Sequence, residues 1–291
     1  LSHPASTLFF TSLALTAFAA NSILCRLALA DQSIDAVSFT TVRLLSGAVM
    51  LFLLVSLRDR RVTRPAFRLL TAVALFCYAA PFSLAYVSIP AGAGALILFG
   101  AVQVTMIGWD ILRGYRLSWR EWGGLVLALG GLVILTMPGS VDPGGAMLMA
   151  AAGVSWGIYS IYGKGTADPL KGTAGNFAVA MIFTLPLSAF SPQAANVTPA
   201  GVLYAAISGA VTSGIGYALW YRALRGLTAT RAGIIQLLVP VIAAAGGVAL
   251  LDESITGRMI IAAALIFAGV GMAVTGRQKA VTEDPISQVL R

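Results

Sequence analysis

Apolar residues run through this chain in long blocks divided by short polar steps. Ten blocks can be drawn, at residues 7–30, 36–57, 67–89, 91–112, 119–137, 144–164, 171–190, 199–222, 228–251 and 255–275. Each is close to the roughly 20 residues a helix needs to cross the hydrocarbon core of a bilayer. Polar and apolar positions do not alternate with a period of two, so the blocks do not read as barrel strands. Lipid satisfies no exposed backbone group, which leaves helices. The pattern therefore predicts an all-α membrane protein with ten transmembrane helices. The first block is too long for the core of a signal peptide and has no charged region before it, so it is expected to be a retained first span. The missing initiator Met is expected to reflect trimming or processing.

A shift of 138 positions lays the two halves over one another. Phe82 meets Trp220, Ala85 meets Ala223, Ile97 meets Ile235, Gly108 meets Gly246 and Gly131 meets Gly269; upstream, Phe18 meets Trp156, Ser22 meets Ser160 and Arg26 meets Lys164. One constant offset over so long a stretch points to an internal repeat. The expected organisation is a first five-helix repeat at 1–138, a second at 139–276 and a cytoplasmic tail at 277–291. Five is odd, so the second repeat enters the membrane from the opposite side. Such inverted repeats are typical of secondary transporters that alternate access around a midplane site. The turns fit: Pro90 to Gly94 is expected to form a tight turn between spans three and four, and Asp142-Pro143-Gly144-Gly145 to join the halves. The tail after Arg277 reads as disordered.

Charge fixes the orientation. With ten spans, sixteen of the nineteen Lys and Arg residues fall in the loops after even-numbered spans. Only Arg26 and Arg258 lie on the other side, with Arg43 inside span two. That asymmetry places both termini in the cytoplasm. The formal net charge is +8, but it is spread through short loops between apolar runs, so a nucleic-acid partner is not expected. Charged residues make up 10% of the chain, against about 25% for soluble proteins, which makes the lipid bilayer its surroundings. Cys25 and Cys77 both lie in apolar segments and read as small core residues rather than a disulfide or metal pair.

What the spans lack narrows the chemistry. The single histidine, His3, lies outside the membrane, so no His-dependent triad or metal cluster is available and no cofactor is expected. Gly163-Lys164-Gly165 lacks the spacing of a phosphate-binding loop. The acidic residues lie in loops or at span ends, Asp110 and Glu121 included. A carboxylate near mid-membrane is what an ion-driven carrier often uses, and its absence favours a facilitator. Rings and amides remain. Tyr78, Phe82 and Tyr86 recur every fourth residue on span three; Trp156 and Tyr159, with Ser155 beside them, lie on span six; Trp220 lies on span eight. Asn21, Gln103 and Gln236 add buried amides. These ten residues are the candidate binding set for a small amphipathic solute. Each type also has a plain structural use, the rings as packing or interface anchors and the amides as interhelical glue. Arg26 and Lys164 are expected to complement helix C-termini. Arg43 is expected to pair with a carbonyl or with Asp35.

Near the C-terminus, Ala223-Leu224, Ala229, Leu237, Pro240-Val241, Gly246, Asp252-Glu253, Ile255-Thr256 and Gly269-Val270 resemble the closing helices of EamA-type proteins in the drug/metabolite transporter (DMT) superfamily. The likeness extends over the whole chain. The first half departs from it, with Val102 at the counterpart of Pro240 and Tyr115 at that of Glu253. Ser155-Trp156-Gly157-Ile158-Tyr159 with Lys164, and Gly216-Tyr217 followed by Trp220, resemble the bacterial aromatic amino acid exporter branch. The resemblance implies export of amino acids, aromatic and other neutral ones, and related metabolites across the bacterial inner membrane, through a cavity between the halves. The expected carrier works by alternating access without ATP, as a monomer, and is not an enzyme. A multidrug or nucleotide-sugar carrier of the same superfamily is the alternative.

Overall fold

The computed structural model describes residues 3–60, 66–114, 116–137, 141–163, 167–189, 197–227, 232 and 235–282. Among them the chain is helical, and the one extended pairing is an isolated antiparallel bridge between Ile34 and Val197. The elements are α1 (His3–Ala30), α2 (Ala36–Asp59), α3 (Leu69–Ala85), α4 (Ala91–Leu112), α5 (Trp119–Thr136) and α6 (Pro143–Gly163). Then come α7 (Pro169–Ile182, resumed at Thr184–Ala189), α8 (Pro199–Leu224), α9 (Leu238–Leu251) and α10 (Gly257–Thr282). Six of these, α1, α2, α4, α6, α7 and α8, are long and apolar enough to cross a bilayer; α3, α9 and the first part of α10 are shorter apolar helices.

Local chemistry starts and stops these helices. Asp35 caps α2 by accepting from the backbone N–H groups of Val37 and Ser38. Ser118 and Glu121 form a reciprocal capping box on α5, while Asp168 and Thr198 cap α7 and α8, each followed directly by proline. Pro186 has no N–H to give to Ile182, and its ring crowds that carbonyl, which accounts for the break in α7 at Phe183.

Two expectations are corrected here. Pro90 is the N-cap of α4 in an extended conformation, so Ala91 to Gly94 form the first helical turn and the bend lies at Tyr86 to Pro90. The segment read as a tail is helical to Thr282. Lys164, Arg231 and the residues after Thr282 lie outside the described residues.

The packing follows a symmetric scheme. The pairs α2–α7, α4–α9 and α5–α10 are in contact; α3 lies against α6 as α1 lies against the end of α8, and α4 lies against α6 as α1 lies against α9. Small residues allow the closest of these contacts. A Cβ on Gly269 would stand 2.5 Å from the Gly124 carbonyl, and one on Gly124 would run into the Gly269 carbonyl in return. The backbones of α5 and α10 thus touch where only hydrogen fits. Large apolar side chains such as Leu53, Leu57, Leu112, Val126, Met147 and Ile260 face outward, as in a bundle whose solvent is lipid. Cys77 faces outward with them, and only Cys25 is the buried residue expected of both.

Candidate functional site

The helices surround a cavity of about 790 Å³. Its lining begins at Ala66 to Arg68 before α3, at Leu117 before α5 and at Ala167 and Asp168 before α7, and runs inward to Trp156, Tyr217 and Gln236. A narrower pocket of about 30 Å³ shares those three residues and continues to Asn21, Tyr78, Phe82, Thr212 and Ser213. The cavity therefore opens at the end of the bundle that carries the loops after α2, α4, α6 and α8.

The opposite end is tied shut. Arg26 of α1 pairs with Glu253 at 3.1 Å, and its Nη1 donates to the carbonyls of Tyr86 (2.9 Å) and Val87 (2.8 Å). Glu253 also accepts from the Ala91 backbone N–H at 2.8 Å. The expected helix-end role of Arg26 is thus replaced by a bridge between α1, the α3–α4 bend and the α9–α10 turn. Asp252, at a positive φ of 52°, reverses the chain there, and the Glu253 N–H donates to the Gly247 carbonyl. Gly247 is needed at this point because a Cβ would occupy the place of the Glu253 carboxylate. Thr198 donates through both its N–H and its hydroxyl to the Ser33 carbonyl, and Ser88 donates to Asp142 at 2.8 Å. Two backbone N–H bonds and Ser88 hold the Asp142 carboxyl below the usual carboxylate range.

Aromatic rings form one connected wall. Trp156 stacks on Tyr159 (centroids 5.1 Å apart, planes at 20°) and on Tyr217 (5.3 Å, 16°), and meets Tyr78 at 4.9 Å. Tyr217 in turn meets Phe18 and Phe177, and Phe18 meets Trp220. These rings come from α1, α3, α6, α7 and α8, so the wall exists only in the assembled bundle.

Polar groups are set between the rings. Thr173 bridges the hydroxyls of Tyr159 (3.1 Å) and Tyr221 (2.8 Å). Asn176 accepts from Thr71 (3.1 Å) and from the Arg68 N–H (3.3 Å), tying α7 to the start of α3. Asn21 accepts from Ser208 (2.7 Å) and Thr212 (3.2 Å). Those two residues lie in Ser208–Ile215, where α8 widens into a π-helix, a departure that recurs at functional sites. At the mouth, Asp168 is bound through both oxygens by Arg58, whose guanidinium holds that carboxyl below the usual range.

Eight of the ten candidate residues border the cavity or its extension: Asn21, Tyr78, Phe82, Gln103, Trp156, Tyr159, Trp220 and Gln236. Tyr86 and Ser155 do not. A step of four residues turns about 40° beyond a full circle, so the third ring of the Tyr78/Phe82/Tyr86 series has rotated off the cavity face. Tyr86 packs in the closed end, its hydroxyl donating to the Ala91 carbonyl. Ser155 stands about 100° around α6 from Trp156; Ser160 lines the cavity instead. Thr173 and Asn176 also line the cavity and lie outside the candidate set, because a Thr or Asn inside an apolar run carries no mark of which way it points.

Compared with known proteins, residues 5–137 and 143–275 each match the EamA-like transporter family. An uncharacterized Pseudomonas aeruginosa protein is 50% identical over 93% of this chain and 95% of its own length. A Salmonella typhimurium protein named as a probable amino-acid metabolite efflux pump is 30% identical over 64% of this chain and 68% of its own. The threonine/homoserine exporter of the same species is 32% identical over 57% of each chain. A crystal structure of a further protein superposes with a TM-score of 0.63 at 20% identity, covering 92% of this chain and 97% of that one, and so shares the fold. The family name and the names of the two Salmonella relatives are those of transporters rather than enzymes. With both halves matched, the chain is a multi-pass membrane protein that belongs to the EamA-like transporter family.

Proposed function

We propose that this protein exports amino acids, aromatic and other neutral ones together with related metabolites, across the bacterial inner membrane by alternating access. The carrying observation is the cavity of about 790 Å³, walled by stacked rings, open at one end of the bundle and latched at the other. Its size falls within the range of small-molecule sites. Apolar rings with a few hydroxyls and amides suit a solute with a hydrophobic side chain and a polar end. The relatives named as amino-acid exporters point to the same class.

In this reading ten spans form two inverted repeats, 1–138 and 139–276, and both termini are cytoplasmic. The symmetric packing of the helix pairs and the paired family matches support the repeat. The arginine-rich loops then lie on the cytoplasmic side, and the described conformation is inward-facing. Trp156, Tyr159, Tyr78, Phe82 and Trp220 shape the side-chain space; Asn21, Gln103 and Gln236 serve the polar end. One chain encloses the whole site, in keeping with a working monomer. Among the described residues no carboxylate lies at mid-depth, which favours facilitated diffusion; Asp110 and Glu121 line the mouth. Multidrug or nucleotide-sugar transport is the alternative.

Site assignment is tested by amino-acid efflux from cells expressing Trp156→Ala or Tyr78→Ala at wild-type levels. Both variants should lose most of the flux. Unchanged efflux in both would refute the assignment.

A further inference from the structure

Arg43 lies about two turns inside α2, is 1% exposed and forms no ion pair among the described residues. The expected partners are not used. Asp35 spends one oxygen on the α2 cap and leaves the other without a hydrogen bond, and no carbonyl accepts from the guanidinium. One bond is made instead: Nη2 donates to the Tyr78 hydroxyl at 3.0 Å. Nε and Nη1 are buried and have no hydrogen-bond partner. The guanidinium lies 4.7 Å from the Phe82 ring centroid and 5.3 Å from that of Tyr78. Ring faces attract a cation but do not take up its N–H groups. A fixed positive charge at this depth, with two donors idle, is costly unless an anion completes it.

Arg43 is not itself in the lining of either cavity, and the neighbouring rings connect it to the binding space. Tyr78 and Phe82 are the two rings over Arg43, and both line the narrow pocket that extends the main cavity. Tyr78 accepts from Arg43, so its own O–H is left to donate to a further acceptor. The guanidinium behind it polarises that O–H and strengthens it as a donor to an anion. Gly209 brings α8 against α2 and Gly47 brings α2 against α7 on this side: a Cβ on Gly209 would strike the Arg43 carbonyl, and one on Gly47 would stand 2.6 Å from Phe177. The helix carrying Arg43 is thereby pinned, with the guanidinium buried inside the bundle.

We infer that Arg43, acting with the Tyr78 hydroxyl, is the anchor for the carboxylate of the transported solute. This rests on the amino-acid reading above and deepens it. The carboxylate is taken at the inner end of the site, which sends the side chain back along the ring wall toward Trp156 and Tyr159. One charge fixed at one end, with a ring-walled space at the other, selects for an α-carboxylate and tolerates many side chains.

The test is equilibrium binding of labelled phenylalanine to the purified full-length protein, with unlabelled phenylalanine and phenylalaninamide as competitors. Wild type should favour the acid over the amide by about tenfold or more, the scale of a charge-assisted hydrogen bond. Arg43→Gln should abolish that preference and leave amide binding within about twofold, measured with labelled amide. Tyr78→Phe, which keeps the ring and removes the hydroxyl, should lower the preference several-fold; Arg43→Lys should retain part of it. An unchanged acid-to-amide ratio in Arg43→Gln would overturn the anchor. If that variant does not fold, an unchanged ratio in both Tyr78→Phe and Arg43→Lys would overturn it equally. Wild type that binds acid and amide alike sinks the anchor but leaves the export reading standing. Wild type that binds neither phenylalanine nor threonine sinks the export reading as well.

Discussion

The closed end of the bundle depends on Glu253, and its removal should open that end by a calculable amount. The carboxylate is 12% exposed and Arg26 is 19% exposed, so solvent screens the pair only weakly. Glu253→Gln preserves shape and can still accept from the Ala91 N–H, but it removes the charge facing Arg26. A hydrogen bond to a charged group contributes ~1.5–3 kcal/mol, so the balance between the latched and unlatched end should shift by about 10- to 150-fold. Glu253→Ala loses the Ala91 contact too and should shift it further. Cys25 is a built-in reporter: it is adjacent to Arg26 in sequence, fully buried and free. Its reaction with a small, membrane-impermeant thiol reagent added from the side of the closed end should accelerate by the same factor in Glu253→Gln, with Cys77→Ser as background. Arg26→Gln should act in the same direction, and the double variant should cost less than the sum of the two. Equal labelling rates in wild type and Glu253→Gln would refute the latch.

Three further outcomes follow from the packing and the charges. Gly124→Leu, or Gly269→Leu, forces a side chain into the facing backbone of α5 or α10 and should cost ~3 kcal/mol or more, read as a fall in Tm of the detergent-solubilised protein, while Gly130→Ala, where a Cβ meets open space, should be close to neutral. Thr173→Val removes the hydroxyl shared by Tyr159 and Tyr221, leaves two phenols without that partner and should cost about 1–3 kcal/mol of stability and lower flux through the same wall. The Asp168 carboxyl is held low by the Arg58 guanidinium, so its contribution is present above the ordinary carboxylate value and fades as pH falls through the depressed one. A thermal-stability profile should accordingly lose part of its acid limb below about pH 4 in Asp168→Asn.

Much of the architecture was legible because lipid imposes so strict a code. Apolar runs of near-constant length admit only helices, and the caps at Asp35, Ser118, Asp168 and Thr198 stand where a polar residue precedes such a run. The helix ends were less legible where a break is local, as at Pro186, or where a helix outlasts its apolar stretch, as α10 does. The rings stand out by residue type, but the meeting of Tyr78 with Trp156 joins two helices and follows from no spacing along the chain. Tyr86 and Ser155 were misplaced because a stripe of four-residue spacing drifts around a helix and an adjacent residue lies on another face. Arg26 and Arg43 mark the deeper limit. Each finds its surroundings more than thirty positions away in the chain, at Tyr78 and Phe82 for one and at Tyr86 and Glu253 for the other. No local pattern announces a partner on another helix, and the same holds for the π-helix that faces Asn21.

The most direct test of the whole account is release of labelled amino acids from proteoliposomes containing the purified full-length chain, with and without an imposed proton gradient. The account predicts saturable release of phenylalanine and other neutral amino acids that does not require the gradient and is lost in Trp156→Ala. Release of none of them, with transport of organic cations or nucleotide sugars in the same vesicles, would contradict it.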